Sequence, residues 1–204
     1  EKYRAMFSPD DIEIRPNVPV ELREKAREEI AGYYAHIAAL DDCLKELLLT
    51  IEEAGIAENT IFIFTSDHGD MLQSHGMTKK QKPWDESILV PFLLRFPEKL
   101  GKEPRILEMP VNTPDILPTL LGLSGIGIPE TVEGEDYSKI LTGEVKELNE
   151  TDLIQCPVPF HQWNYQRGGR EFRGVRSKRY TYVRDLNGPW LLYDNKIDPY
   201  QMNN

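Results

Sequence analysis

The chain has 204 residues, enough for one sizeable hydrophobic core or for one core with a small satellite. Its 40% hydrophobic and 28% charged content are ordinary for a globular protein, and no apolar run approaches a membrane span. The formal net charge of −10 argues against a general nucleic-acid or anionic-membrane binder. Two cysteines, Cys43 and Cys156, are too few for a disulfide framework, lack metal-type spacing, and are expected to be buried.

Residues 1–20 contain three prolines and no sustained period, which predicts an extended entry segment. From Glu21 the pattern becomes helical. Ile30, Tyr33, Ile37, Leu40, Leu44, Leu47 and Ile51 recur at three- and four-residue steps, and Gly55 is a good terminator. That stripe is expected to pack against a sheet, with His36 beside it as a structural or exposed residue. Thr60-Ile61-Phe62-Ile63-Phe64-Thr65 has the length and composition of a buried strand, and Ile88–Phe96 of a second. A short helix is expected over Asp115–Leu123, followed by a Gly-, Pro- and acid-rich connecting segment over 124–150. In the last fifty residues, Arg173–Arg184 and Trp190–Tyr193 alternate around Asn187-Gly188, a hairpin signal. The expected layout is α/β: a core over 1–150, then a small antiparallel sheet over 151–204.

The chemistry concentrates between the two predicted strands. The first delivers Asp67-His68 to its own C-terminal edge, where open α/β sheets place ligand sites. An acid and an imidazole there can bind a hard or borderline cation. Gly69 is expected to let the chain turn and approach a ligand closely. His75-Gly76, Lys79-Lys80 and Asp85-Glu86-Ser87 follow in a loop long enough to be functional. One of the lysines Lys79, Lys80 and Lys82 could turn inward and hold an oxyanion as a point charge, although clustered lysines are usually solvated. Metal, anion and turn together suggest cleavage of a sulfate or phosphate ester. The basic stretch from Arg167 to Arg184, interleaved with Phe172, Tyr180 and Tyr182, could in principle track a nucleic acid. Its strand-like alternation favours a solvated hairpin face, with the rim of an anionic-sugar site second. The chain contains no Ser-His-Asp order, Walker-type glycine loop or dinucleotide fingerprint.

The ordered motifs resemble the sulfatase family of the alkaline-phosphatase superfamily, iduronate-2-sulfatase-like and arylsulfatase-like members above all. They run from Tyr33-Tyr34-Ala35 through Ser66-Asp67-His68-Gly69-Asp70, His75-Gly76 to Lys80 and Pro83-Trp84-Asp85-Glu86-Ser87. They continue through Pro118-Thr119-Leu120-Leu121 to Arg173-Gly174-Val175-Arg176 and Leu192-Tyr193-Asp194. The resemblance implies part of an alkaline-phosphatase-like α/β/α sandwich followed by the C-terminal sheet subdomain. It implies that Asp67 and His68 ligate Ca2+ (Mg2+ or another divalent ion being possible). Lys80 matches the lysine that contacts sulfate, whereas Lys79 and Lys82 do not. His75 matches a recurrent position, in substrate contact or in support, and counts with Lys80 as a catalytic candidate. His161 and Arg173 are further substrate-binding candidates. The family nucleophile is formylglycine, made from a Cys or Ser in a Cys/Ser-x-Pro/Ala-x-Arg motif that this sequence lacks. The chain therefore reads as the C-terminal part of a sulfatase, expected to be inactive alone, whose parent cleaves sulfate esters of a small molecule or carbohydrate. A phosphonate or phosphodiester hydrolase of the same superfamily and a non-catalytic sugar-binding relative are the alternatives. No nucleic-acid or membrane partner is expected, and a periplasmic, secreted or lysosomal setting is favoured over the cytoplasm.

Overall fold

In the computed structural model, which describes residues 1–146 and 151–204, the helical period becomes helix α1 (Arg23–Glu53). It ends as the sequence predicts. Gly55 takes a left-handed φ of 69°, so its N–H reaches Glu52 O and the Ile56 N–H reaches Ile51 O. The covered face differs from the predicted stripe. Ala26, Ile30, Ala31 and Ala35 are buried, whereas Tyr33, Ile37, Leu40 and Leu47 are exposed. The helix is apolar on more than one side, and the entry segment covers only one of them, through Ile12 and Val18. That segment is extended between three short 3-10 turns, at Arg4–Met6, Pro9–Asp11 and Val20–Leu22.

Strand β1 (Phe62–Thr65) pairs antiparallel with β2 (Phe92–Arg95), Phe62 lying opposite Arg95 and Thr65 opposite Phe92. Neither strand is fully buried, which corrects the sequence expectation; Leu93 is 63% exposed. Both faces of this ribbon are apolar, but the described residues do not cover both. Between the ribbon and the second half of α1 runs a groove of about 480 Å³, lined by Leu44, Leu48, Phe62, Phe64 and Leu94. The accessible surface is 13593 Å², against roughly 9,800 Å² for a folded monomer of this mass. Exposed apolar faces on α1 and the ribbon contribute to that excess.

The short helices α2 (Asp85–Ile88) and α3 (Pro97–Leu100) flank β2. Helix α4 (Thr113–Ser124) starts two residues before its predicted bound, because Asn112 and Asp115 form a capping box. One turn, α5 (Ser138–Leu141), lies within the connecting segment, whose residues 147–150 are outside the described residues.

The C-terminal sheet is a meander of β3 (Thr151–Cys156), β4 (Phe172–Ser177), β5 (Tyr180–Asp185) and β6 (Gly188–Asp194), antiparallel throughout. Its alternation directs Phe172, Val183, Leu191 and Tyr193 inward, where they join Met71 and Trp84 of the loop between β1 and β2 in one core. Trp84 donates its Nε1–H to the Tyr193 hydroxyl at 3.3 Å and meets Trp190 edge-on at 5.8 Å. Of the two cysteines, Cys156 joins this core, but Cys43 is exposed because α1 carries it away from its covered face.

An ion pair ties the same sheet to α2. Arg176 grips Asp85 with two bonds of 3.0 and 2.9 Å, and the Gln201 amide donates to the same carboxylate at 3.1 Å. The two charged side chains are only 14% and 19% exposed. Arg176→Met is expected to destabilise the parent protein by somewhat less than the roughly 3–5 kcal/mol lost when a fully buried pair is broken. Urea unfolding checks this, and a loss below about 1 kcal/mol would place the pair with ordinary surface pairs.

Candidate active site

Asp67 and His68 leave the end of β1 as the sequence predicts, and their local bonding suits a cation. The His68 Nδ1–H donates to Gly69 O at 2.8 Å, which fixes the tautomer and leaves the Nε2 lone pair free. Nε2 lies 3.4 Å from Asp67 Oδ2, and the Asp67 side chain is 84% exposed. The other carboxylate oxygen accepts the His68 N–H at 3.0 Å, holding the carboxylate beside the ring. One hard anionic and one borderline donor thus converge and fit a divalent ion as part of its ligand set. No cluster of three or more His, Cys, Asp or Glu that could hold a metal exists among the described residues.

Gly69 is required for a different reason from the one predicted. Its φ is not left-handed; a Cβ there would lie 2.0 Å from Glu86 O. Its N–H donates to Ser87 O at 2.9 Å, so the glycine lets the loop lie against the backbone of α2.

Asp70 folds the loop back on itself, accepting the Leu72 N–H at 3.1 Å and the Lys79 N–H at 2.8 Å. The Met71 N–H then donates to Lys79 O at 3.0 Å. This brings the lysine segment alongside Asp70 and Met71. Lys80 is half-buried and sits between two left-handed residues, Lys79 (φ 65°) and Gln81 (φ 74°). Lys79 is exposed, its Nζ 3.9 Å from Asp70 Oδ2. Lys82, expected to be a solvated neighbour, is instead 3% exposed. Its ammonium donates to Thr78 O at 2.7 Å and Lys80 O at 2.9 Å, and lies 5.4 Å from the centre of the Trp163 ring. Burial pushes its pKa below the usual lysine value, with Asp70 opposing the shift.

His75 lies at a junction. Its N–H donates to Asn17 O at 2.8 Å, its Nε2 is 3.2 Å from the Asn17 amide nitrogen, and its ring stacks on Trp84 at 5.2 Å. The same amide donates to Glu86 Oε1 at 2.7 Å and to Tyr200 O at 3.1 Å. One asparagine therefore joins the entry segment, the loop, α2 and the C-terminus. Burial holds the His75 pKa below the usual 6.5, opposed by Glu86, Asp198 and the Tyr200 backbone. Above that value both folded and unfolded imidazoles are neutral, and the contribution to stability is fully present. As pH falls below it, the unfolded chain takes up a proton first, and stability is lost down to the folded pKa. The melting temperature should fall as pH drops below about 6.5, and His75→Asn, tolerant of the left-handed φ of 54°, should flatten that fall. An unchanged slope would show that His75 does not contribute.

The remaining candidates separate. His161 is exposed in a left-handed turn (φ 52°), and its neighbour Phe160 donates its N–H to the Gln81 side chain at 3.1 Å, placing this turn against the lysine segment. Arg173 points to the outer face of β4, opposite Gln155 and Arg184, and pairs with Glu171 at 2.9 Å. No contact among the described residues joins it to Asp67 or Lys80. The basic stretch is ion-paired elsewhere too, through Arg170–Asp185 at 3.1 Å and Arg179–Asp194 at 2.6 Å. Sequence reasoning missed Lys82, Gln81 and Asn17. Gln81 and Asn17 carry no motif, and Lys82 was read only within a run of lysines that is usually solvated.

With this geometry in hand, comparison with known proteins identifies the class. The Sulfatase family profile matches residues 2–126, and that for N-sulphoglucosamine sulphohydrolase, C-terminal, matches residues 73–204. The chain belongs to the sulfatase family. It is 42% identical to an ulvan-active sulfatase of Formosa agariphila, over 100% of this chain and 40% of that protein. It is 31% identical to an endo-4-O-sulfatase of Bacteroides thetaiotaomicron, over 96% of this chain and 40% of that one. A solved structure from work on glycosaminoglycan metabolism by Bacteroides thetaiotaomicron superposes with a TM-score of 0.85 at 29% identity, covering 100% of this chain and 44% of that one. The fold is the alkaline-phosphatase-like α/β fold of these sulfatases. A phosphonate monoester hydrolase of Agrobacterium radiobacter shares the fold, with a TM-score of 0.82 at 23% identity. The chain spans about two fifths of the length of the curated relatives it matches.

Proposed function

We propose that the protein to which this chain belongs hydrolyses sulfate esters on a saccharide, and that Asp67, His68 and Lys80 are this chain's contribution to the reaction centre. The observation that carries the reading is the Asp67-His68 pair, its free Nε2 and exposed carboxylate converging at the end of β1. The folded-back loop brings the lysine segment alongside Asp70 and Met71 of the same loop. Asp67 and His68 would hold a divalent ion, calcium by family resemblance, which supplies positive charge beside the ester when bound. Lys80 would add a second positive charge for the sulfate oxygens, and His75 supports the loop that carries it. The turn at His161 would form part of the rim on the lysine side. The formylglycine nucleophile and the other metal ligands are assigned to the part of the parent outside this chain. The exposed apolar stripe of α1 and the groove beside β1 are suited to packing against that part. Relatives named for ulvan, 4-O-sulfate and N-acetylglucosamine 6-O-sulfate chemistry support a sugar as the carrier of the ester.

The test is a panel of aryl sulfates, sulfated saccharides, phosphodiesters and phosphonate monoesters, offered to the parent protein matured with a formylglycine-generating enzyme. Sulfate release from at least one sulfated saccharide, faster than any phosphorus ester is cleaved, is the expected result. Faster phosphonate or phosphodiester turnover would favour the fold relative instead. Saccharide binding without turnover would favour a non-catalytic relative.

A further inference from the structure

Lys82 is a buried cation that the proposed reaction does not use, and its surroundings are specific. Its ammonium donates to the main-chain oxygens of Thr78 and Lys80, at 2.7 and 2.9 Å, and so spans the turn that contains Lys80. That turn is strained on both sides of Lys80, since Lys79 and Gln81 are non-glycine residues at positive φ. Such residues persist where the surroundings over-determine them, and the restraints here come from two directions. From α2, Ser87 Oγ accepts the Lys82 N–H at 3.2 Å. From the C-terminal subdomain, Trp163 lies under the ammonium and the Phe160 N–H holds the Gln81 side chain. Trp163 is itself locked in the shared core, 6.3 Å from Phe172.

We propose that Lys82 is a positioning residue: it staples the 78–82 turn onto the 160–163 turn of the C-terminal subdomain and so fixes where the Lys80 side chain projects. This rests on the reading of Lys80 as the sulfate-binding lysine. A buried ammonium with its donors on carbonyls stays in place, because removing it would leave those carbonyls without partners. The subdomain then sets the position of Lys80 through Lys82 and Gln81.

The test uses the full-length, formylglycine-matured protein and an aryl sulfate it turns over. Lys82→Met keeps the apolar stem and removes the ammonium. It is expected to lower kcat by on the order of ten- to a hundredfold, the scale of a displacement of about 1 Å in a catalytic group, with KM moving less. In a Lys80→Ala background the same change should lower kcat little further, because both act through one group. Hydrogen–deuterium exchange over residues 78–82 should rise in Lys82→Met while the amides of β4–β6 keep their protection. If Lys82→Met does not fold, Gln81→Asn replaces it. That variant tolerates the left-handed backbone, shortens the reach to Phe160, and should show the same non-additivity. Losses that multiply between the Lys82 and Lys80 variants, or unchanged exchange over 78–82, would overturn the proposal alone. If Lys80→Ala itself left kcat intact, the sulfate-lysine reading would fail, and this proposal with it.

Discussion

Replacing Lys80 by alanine in the parent protein is expected to lower turnover of a sulfate ester by on the order of a hundred- to a thousandfold, the usual loss when one preorganised donor is removed. Charge builds on the ester oxygens as the bond breaks, and a fixed ammonium stabilises it without reorganising. The backbone around Lys80 supports such preorganisation, with Lys82 holding its carbonyl and Asp70 holding the neighbouring Lys79 amide. Thermal unfolding of Lys80→Ala should stay near the wild type, because none of these bonds uses the Lys80 side chain. Lys79→Asn serves as the contrast. Lys79 is exposed and sits 3.9 Å from Asp70 Oδ2, a surface pair worth about 0–1 kcal/mol, so rates should change only slightly. Near-normal rates in Lys80→Ala would make it a solvated loop lysine. A large loss in Lys79→Asn with none in Lys80→Ala would shift the assignment by one position.

How much of this was legible in the sequence varied with the physics behind each element. Helix α1 was readable because its period spans 31 residues and its glycine stop requires a left-handed residue. Which side of it is covered was not, since the helix is apolar on several sides and periodicity cannot say what lies against each. The same limit turned the predicted buried strands into a half-covered ribbon. The C-terminal hairpins showed through their alternation, but not that Arg176, on the inward side of β4 with Phe172 and Gly174, grips Asp85 across 91 positions. The placement of Asp67 and His68 at the end of β1 was legible because a strand and its end are local features. The roles of Gly69, Lys82 and Asn17 depend on close approach between distant segments, which leaves no spacing rule behind. Lys82 illustrates the point: a third lysine in a polar loop reads as solvent-facing until Trp163, 81 residues away, is known to lie under it.

Asp67→Asn in the parent protein is expected to lose divalent-ion binding, with affinity falling by at least the roughly 10–100-fold seen when only an outer-shell partner is removed. The amide keeps the shape of the side chain but loses the negative charge, and a hard cation takes its ligand energy chiefly from anionic oxygen. His68→Gln should weaken binding less, because a neutral donor is exchanged for a neutral oxygen. The loss should still be clear, since the Nε2 that the Gly69 carbonyl orients through Nδ1 would be gone. Calorimetric titration of the metal-stripped parent with calcium checks both variants, and a parallel magnesium titration tests which ion the site prefers. Turnover should fall in step with occupancy and recover partly at high calcium in His68→Gln. Native affinity in Asp67→Asn would mean that the exposed carboxylate at the end of β1 caps the turn through the His68 amide, at 3.0 Å, and binds nothing else. In that event the pair would keep its structural bond and lose its place at the reaction centre.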